Sequence, residues 1–213
     1  MIQIVFPILL GIGASLALYP YFIPFLQKLK FGQYIREEGP QAHLSKKGTP
    51  NMGGIGILLI VSVVSLIFMK FTLENLMILF LMIGFGCVGF VDDYLKVVKK
   101  QNEGFSAKHK MFFQVLITLI FMAVSYLTNP DFGKVIVPFT DGMSFDLGFL
   151  LIPFMLVFIL GTVNSVNIID GLDGLASSVT SVVAGFFTLA ALHYGHGDVA
   201  ISVAVMGGLL GFL

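Results

Sequence analysis

Asn75–Val91 reads NLMILFLMIGFGCVGFV, and Asp92-Asp93-Tyr94-Leu95-Lys96 follows it directly. A helix needs about 20 mostly apolar residues, and at the least about 17, to cross a hydrocarbon core of about 30 Å. The 17 residues of this run contain no Lys, Arg, Asp or Glu. The run therefore predicts a membrane-spanning helix that ends in two adjacent carboxylates.

Six further runs share that character: Ile2–Leu26, Gly53–Met69, Met111–Leu127, Leu147–Val163, Leu175–His193 and Val199–Leu213. Over all 213 residues the chain is 57% hydrophobic and only 11% charged, with mean hydropathy +0.96. A soluble domain carries about 25% charged residues. The lone Cys87 excludes a disulfide scaffold, and the apolar content excludes disorder. A formal net charge of zero excludes a basic nucleic-acid binder. The partner is a lipid bilayer. The expected fold is an all-α integral membrane protein, a polytopic bundle of about seven transmembrane helices forming one domain over residues 1–213.

The first run lacks a basic leader and continues for a full span, so no cleavable signal is expected. Pro7, Pro20 and Pro24 predict bending or fraying toward its end. The seventh run stops at Leu213 after 15 positions, about 22 Å of helix. No basic anchor or cap follows, so the chain is expected to be the N-terminal part of a longer protein.

Orientation follows from the basic residues of the short loops. Lys28, Lys30, Arg36, Lys46 and Lys47 fall in the first loop, and Lys96, Lys99, Lys100, Lys108 and Lys110 in the third. The second and fourth hold only Lys70 and Lys134. The N-terminus is expected outside, loops 27–52, 92–110 and 164–174 in the cytoplasm, and loops 70–74, 128–146 and 194–198 outside. In the fourth loop, Val135–Val137 and Phe145 flank a Thr140-Asp141-Gly142 turn, which predicts a small external β-hairpin around 134–146.

Polar residues concentrate in the three cytoplasmic loops. Lys46-Lys47-Gly48-Thr49-Pro50-Asn51-Met52-Gly53-Gly54 runs into a helix. Glycines and a helix N-terminus suit a phosphate or a sugar nucleotide; a turn with small residues for helix packing is the alternative. Asp92 and Asp93, with Lys96 one turn on, suit Mg²⁺ plus phosphate, or else simple interfacial flanking. Adjacent helical positions point about 100° apart, so both aspartates cannot chelate one ion from a regular helix. Lys108, in Ser106-Ala107-Lys108-His109-Lys110, suits a phosphate or a cytoplasmic anchor. Asn164, Asn167, Asp170 and Asp173 recur every three residues, which places them on one polar face of a helical segment. Two amides and two carboxylates bracketed by Gly171 and Gly174 suit a metal, sugar hydroxyls or a nucleobase edge. Gly84-x-Gly86-x-x-Gly89 lies inside a span, where small residues signal close helix contact rather than dinucleotide binding.

IREEGP, KKGTPNMGG, GFVDDYLK, SAKHK and NSVNIIDGLDGLA, in that order, resemble the phospho-N-acetylmuramoyl-pentapeptide transferases of the polyprenyl-phosphate N-acetylhexosamine-1-phosphate transferase superfamily. The resemblance covers the whole chain. It implies ten membrane helices and a cytoplasmic cleft in a bacterial plasma membrane. It further implies transfer of phospho-MurNAc-pentapeptide from UDP-MurNAc-pentapeptide to undecaprenyl phosphate, giving lipid I and UMP with Mg²⁺ as cofactor. Carried over by motif, Asp92, Asp93 and Lys108 are catalytic, Asp92 being the candidate for deprotonating or orienting the lipid phosphate. Lys96 steadies the diphosphate; Lys46, Thr49 and Asn51 line the nucleotide side. Asn164, Asn167, Asp170, Gly171, Leu172 and Asp173 build the uridine pocket. Asp92, Asp93 and Asn167 are the metal candidates, with the principal Asp ligand expected beyond Leu213. A second copy of the chain is a candidate partner.

Two departures stand out: Asn51 replaces the Thr of the family's GTPTMGG form, and the family's later FMGDTGS-type stretch and His-rich loop are not in these 213 residues. The runner-up within the superfamily is a UDP-GlcNAc:polyprenyl-phosphate GlcNAc-1-phosphate transferase. A transporter is the rival from another class, but it expects ionisable residues near mid-bilayer, and these spans carry no Asp, Glu, Lys or Arg. A scaffold without catalysis is a third. The 213 residues alone are expected not to turn over substrate. Lipid I made by the purified chain, without a supplemented C-terminal part, would overturn that expectation.

Overall fold

The computed structural model describes residues 2–28, 52–99, 104–137, 140, 142–194 and 198–213. Among them are seven α-helices: α1 (Ile2–Lys28), α2 (Gly54–Phe68), α3 (Leu73–Lys99), α4 (Ala107–Thr128), α5 (Leu151–Ile169), α6 (Leu175–Tyr194) and α7 (Ala200–Phe212). Five of them (α1, α3, α4, α6, and α5 with the 3₁₀ turn Gly148–Leu150 before it) are long and apolar enough to cross a membrane. The seven expected runs thus resolve into five long helices and two short ones. α2 has 15 residues and α7 has 13, about 22 and 20 Å of helix. α2 is short because Met69 is already extended, and α7 occupies Ala200–Phe212 of the run Val199–Leu213. α1 runs unbroken through Pro7, Pro20 and Pro24, where fraying was expected. Its packing along α2 and α7 holds the rod where single backbone donors are missing.

β1 (Lys134–Ile136) and β2 (Ser144–Asp146) form the expected hairpin, with Lys134 opposite Asp146, Val135 opposite Phe145 and Ile136 opposite Ser144. Gly142, at φ +85°, supplies the left-handed turn.

α7 is the hub, packed on α1, α2 and α6. Small residues let its backbone touch α1. A Cβ on Gly207 would lie 2.6 Å from the Ile8 carbonyl oxygen, and one on Gly211 2.6 Å from that of Ile12. Across the seam, the buried Ser15 hydroxyl donates to the Gly208 carbonyl at 2.8 Å. Gly207 and Gly211 on α7 face Gly11 and Ser15 on α1, a small-xxx-small crossing on both sides. Beside it, Tyr19, Ile60, Val61, Val64 and Ala204 form the core.

Two sets of contacts define the ends of the bundle. At one, the Tyr19 hydroxyl donates to the Gly53 carbonyl at 2.8 Å, and its ring meets Phe212 with centroids 4.7 Å apart. At the other, the Asp198 carboxylate accepts from the Lys70 and Ala200 backbone N–H groups and from Asn75 Nδ2, tying the α2–α3 turn to the start of α7. α5 buries none of its residues, and Phe154, Val157 and Phe158 on it are exposed. Apolar surface of that extent is stable against lipid tails, not water.

Gly211→Val is expected to destabilise the bundle by about 1–3 kcal/mol through overpacking. Gly13→Val, at a site with nothing within 4 Å of the new Cβ, should leave it unchanged. Heating detergent extracts and measuring the folded fraction by size exclusion checks both.

Candidate active site at one end of the bundle

α3 continues two turns past the apolar run, to Lys99, so Asp92, Asp93 and Lys96 all sit on a regular helix. Lys96 Nζ lies 2.7 Å from Asp92 Oδ2 and 3.3 Å from Asp93 Oδ1. Where the described chain resumes, Gly104 and Phe105 lie over Asp92. The Phe105 backbone N–H donates to Asp92 Oδ1 at 2.8 Å, and Lys110 Nζ on α4 stands 3.8 Å from Asp92 Oδ2. Gly104 makes that approach possible, because a Cβ there would collide with Asp92 Oδ1 and lie 2.7 Å from the Asp92 carbonyl oxygen.

The two adjacent aspartates therefore differ in kind. The Asp92 side chain is 10% exposed and the Asp93 side chain 37%. Asp92 is engaged on both oxygens and clips α3 to α4, whereas Asp93 is the more open to a ligand.

Both aspartates line a cavity of about 680 Å³, together with Asn167 and Thr180. Its remaining wall is apolar, with Ile57 and Leu58 from α2, Met82 and Phe90 from α3, and Val205 and Leu209 from α7. Met52, just before α2, borders it in a left-handed conformation at φ 73°. Three stretches distant in sequence thus meet at one end of the bundle: the start of α2, the acidic turn of α3 and the end of α5.

The other expected site residues are placed as follows. Lys46, Thr49 and Asn51 lie outside the described residues. Lys108 is exposed and borders a separate shallow hollow with Met111, Phe112 and Val115. Helix α4 begins at Ala107, so Lys108 and Lys110 project about 200° apart, and Lys110 is the one that reaches Asp92. The periodic set of four polar residues does not share one helix. Asn164 and Asn167 are on α5, which stops at Ile169 with Asp170 as its C-cap. Asp170, Gly171, Leu172 and Asp173 make the turn into α6, which closes at Gly174 with φ +78°. Of the inner glycines, Gly86 admits Leu58 and Gly84 admits Ile117 as expected, whereas a Cβ on Gly89 would meet nothing within 4 Å. His109 bonds Ser106 at 2.8 Å and stacks on Phe105.

Lys110, Gly104 and Phe105 were not singled out by the sequence. The signal for Lys110 was its helical offset from Lys108, which is usable only once the start of α4 is known. The donor set suits Mg²⁺ shared with phosphates, since that ion takes one or two carboxylates and fills its remaining positions with water and substrate oxygens. Among the described residues, no three His, Cys, Asp or Glu side chains gather into a self-contained cage.

A multi-pass helical membrane protein with an acidic, lysine-clamped pocket at one end defines the class. The sequence profile of glycosyl transferase family 4 matches residues 75–213, and the chain belongs to that family. It is 47% identical over 219 aligned residues to a phospho-N-acetylmuramoyl-pentapeptide-transferase of Bacillus subtilis (strain 168), covering 99% of this chain and 66% of that protein. A transferase of the same name from Bacillus pumilus (strain SAFR-032) is 46% identical, with the same coverage. One from Clostridium botulinum (strain Alaska E43 / Type E3) is 43% identical over 97% of this chain and 63% of its own length. The chain thus spans just under two thirds of the curated relatives it matches.

Asp92→Ala should free the Phe105 amide. Its hydrogen exchange is expected to quicken about 10- to 100-fold, the equivalent of a lost charge-assisted hydrogen bond. Peptides within 75–90 should be unaffected. Hydrogen-exchange mass spectrometry of the detergent-solubilised protein checks both.

Proposed function

We propose that this chain serves a transferase that moves phospho-MurNAc-pentapeptide from its UDP carrier to undecaprenyl phosphate, giving lipid I and UMP at the cytoplasmic face. The observation that carries the proposal is the pocket itself: an apolar cavity among helices with Asp93 and a lysine-clamped Asp92 at its polar end. A substrate with a hydrocarbon tail and a phosphate head has the same division. Identity of 43–47% to transferases of that name over nearly the whole chain supports the choice of donor.

In the reaction, an oxygen of the lipid phosphate attacks the phosphorus bonded to the sugar. The bond from that phosphorus to the bridging oxygen breaks, and UMP leaves with the electron pair. A phosphate monoester is mostly dianionic near neutral pH (second pKa about 6), so the nucleophile needs no strong base. Asp92, engaged by Lys96, Lys110 and the Phe105 N–H, orients those two ammonium groups toward the phosphates. Asp93 and Asn167 would hold Mg²⁺, which supplies charge neutralisation at the transferring phosphoryl group. Asp170 and Asp173, in the α5–α6 turn, contribute acceptors for the nucleotide's hydroxyl and N–H groups.

With the full-length protein, Asp93→Asn is expected to lower lipid I formation by at least about 100-fold, the scale on which electrostatic groups act on charged transition states. Product from UDP-GlcNAc but none from UDP-MurNAc-pentapeptide would overturn the choice of donor. Cysteines placed singly at 93 and 173 should both label from the cytoplasmic side; labelling from opposite sides would overturn the site.

A further inference from the structure

Gln114 on α4 is 2% exposed. An amide buried in a membrane helix is costly unless paired, and this one is paired across helices. Asn164 Nδ2 on α5 donates to Gln114 Oε1 at 3.0 Å and also to the Leu160 carbonyl at 2.8 Å.

A backbone carbonyl only accepts, so the Leu160 contact fixes which end of the Asn164 amide is nitrogen. That in turn fixes Gln114 as the acceptor. A side-chain amide has two N–H donors and one carbonyl, and both Asn164 donors are spent inside the protein.

The bond has a second consequence. α5 buries no residue, so apolar packing sets its rotation weakly. Among the described residues, Gln114–Asn164 is the one hydrogen bond that joins α5 to a neighbouring helix. Asn167, which borders the acidic cavity, lies one turn further along the same helix.

We propose that Gln114 is a positioning residue: through its bond to Asn164 it holds the rotation of α5, and with it the α5–α6 turn from which Asp170 and Asp173 take the nucleotide. This rests on the transferase function proposed above.

The test uses the full-length enzyme with UDP-MurNAc-pentapeptide and undecaprenyl phosphate. Gln114→Leu removes the acceptor, and Gln114→Asn withdraws it by one methylene with little change in polarity. Both are expected to raise KM for the nucleotide sugar about tenfold, the scale of one hydrogen bond, with KM for the lipid phosphate and kcat held within about twofold. Gln114→Glu keeps an acceptor oxygen in place and should return the nucleotide KM to within about twofold of wild type. If Q114L does not accumulate, Q114N and Q114E decide between them. The proposal is overturned if the nucleotide KM stays at the wild-type value in Q114N. It is equally overturned if both KM values and the thermal midpoint move together in Q114N and Q114E, which is the pattern of simple helix glue. Absence of lipid I from the wild-type enzyme sinks the function and this proposal together, whereas turnover with an unmoved KM sinks this proposal alone.

Discussion

A hydrocarbon slab tolerates neither unpaired backbone groups nor isolated charge, and the arrangement of this chain follows from that intolerance. Every apolar run is free of Lys, Arg, Asp and Glu, so these charged side chains are confined to the ends of the helices and the loops. Helices alternate in direction, and the acidic turn of α3, the start of α2 and the end of α5 therefore share one end. That juxtaposition requires no long-range recognition between loops. It is what remains once the bilayer has excluded charge from everywhere else. The α1–α7 seam, where glycines bring two backbones into contact, then fixes how closely those ends approach.

Within that end, a single close approach makes two chemically identical side chains unlike. Gly104 and Phe105 close over Asp92, the Phe105 N–H donating to it, and Lys110 arrives from α4. Asp93, one residue on and about 100° around the helix, keeps more of its surface. An adjacent acidic pair can thus divide the work between holding cations in place and meeting a ligand, without any difference in residue type.

The spans, the hairpin at 134–146 and the acidic end were legible because they rest on run length, turn residues and charge, which are local quantities. The particular partners were not. Choosing Lys110 over Lys108 depends on α4 starting at Ala107 rather than at the apolar run's first residue, Met111. The three-residue spacing of Asn164, Asn167, Asp170 and Asp173 suggested one face, but α5 stops at Ile169 and divides the set between helix and turn. Gln114 was not singled out, because its partner lies 50 residues away. Side-chain pairing between helices is set by their rotation, and a single sequence does not encode rotation locally.

Charge at the acidic end also limits what these residues can do by themselves. Asp92 and Asp93 are balanced by Lys96 and Lys110, so the cluster is formally neutral. In the proposed reaction a diphosphate meeting a second phosphate would bring several negative charges into a site with low-dielectric walls, where uncompensated repulsion is large. A neutral cluster can orient such groups but cannot offset their charge. The compensating positive charge has to come from a bound divalent cation or from lysines outside this set, such as Lys46 and Lys47, which precede α2 in the sequence. The geometry of the described residues therefore accounts for positioning, while neutralisation depends on groups brought to the pocket from beyond it.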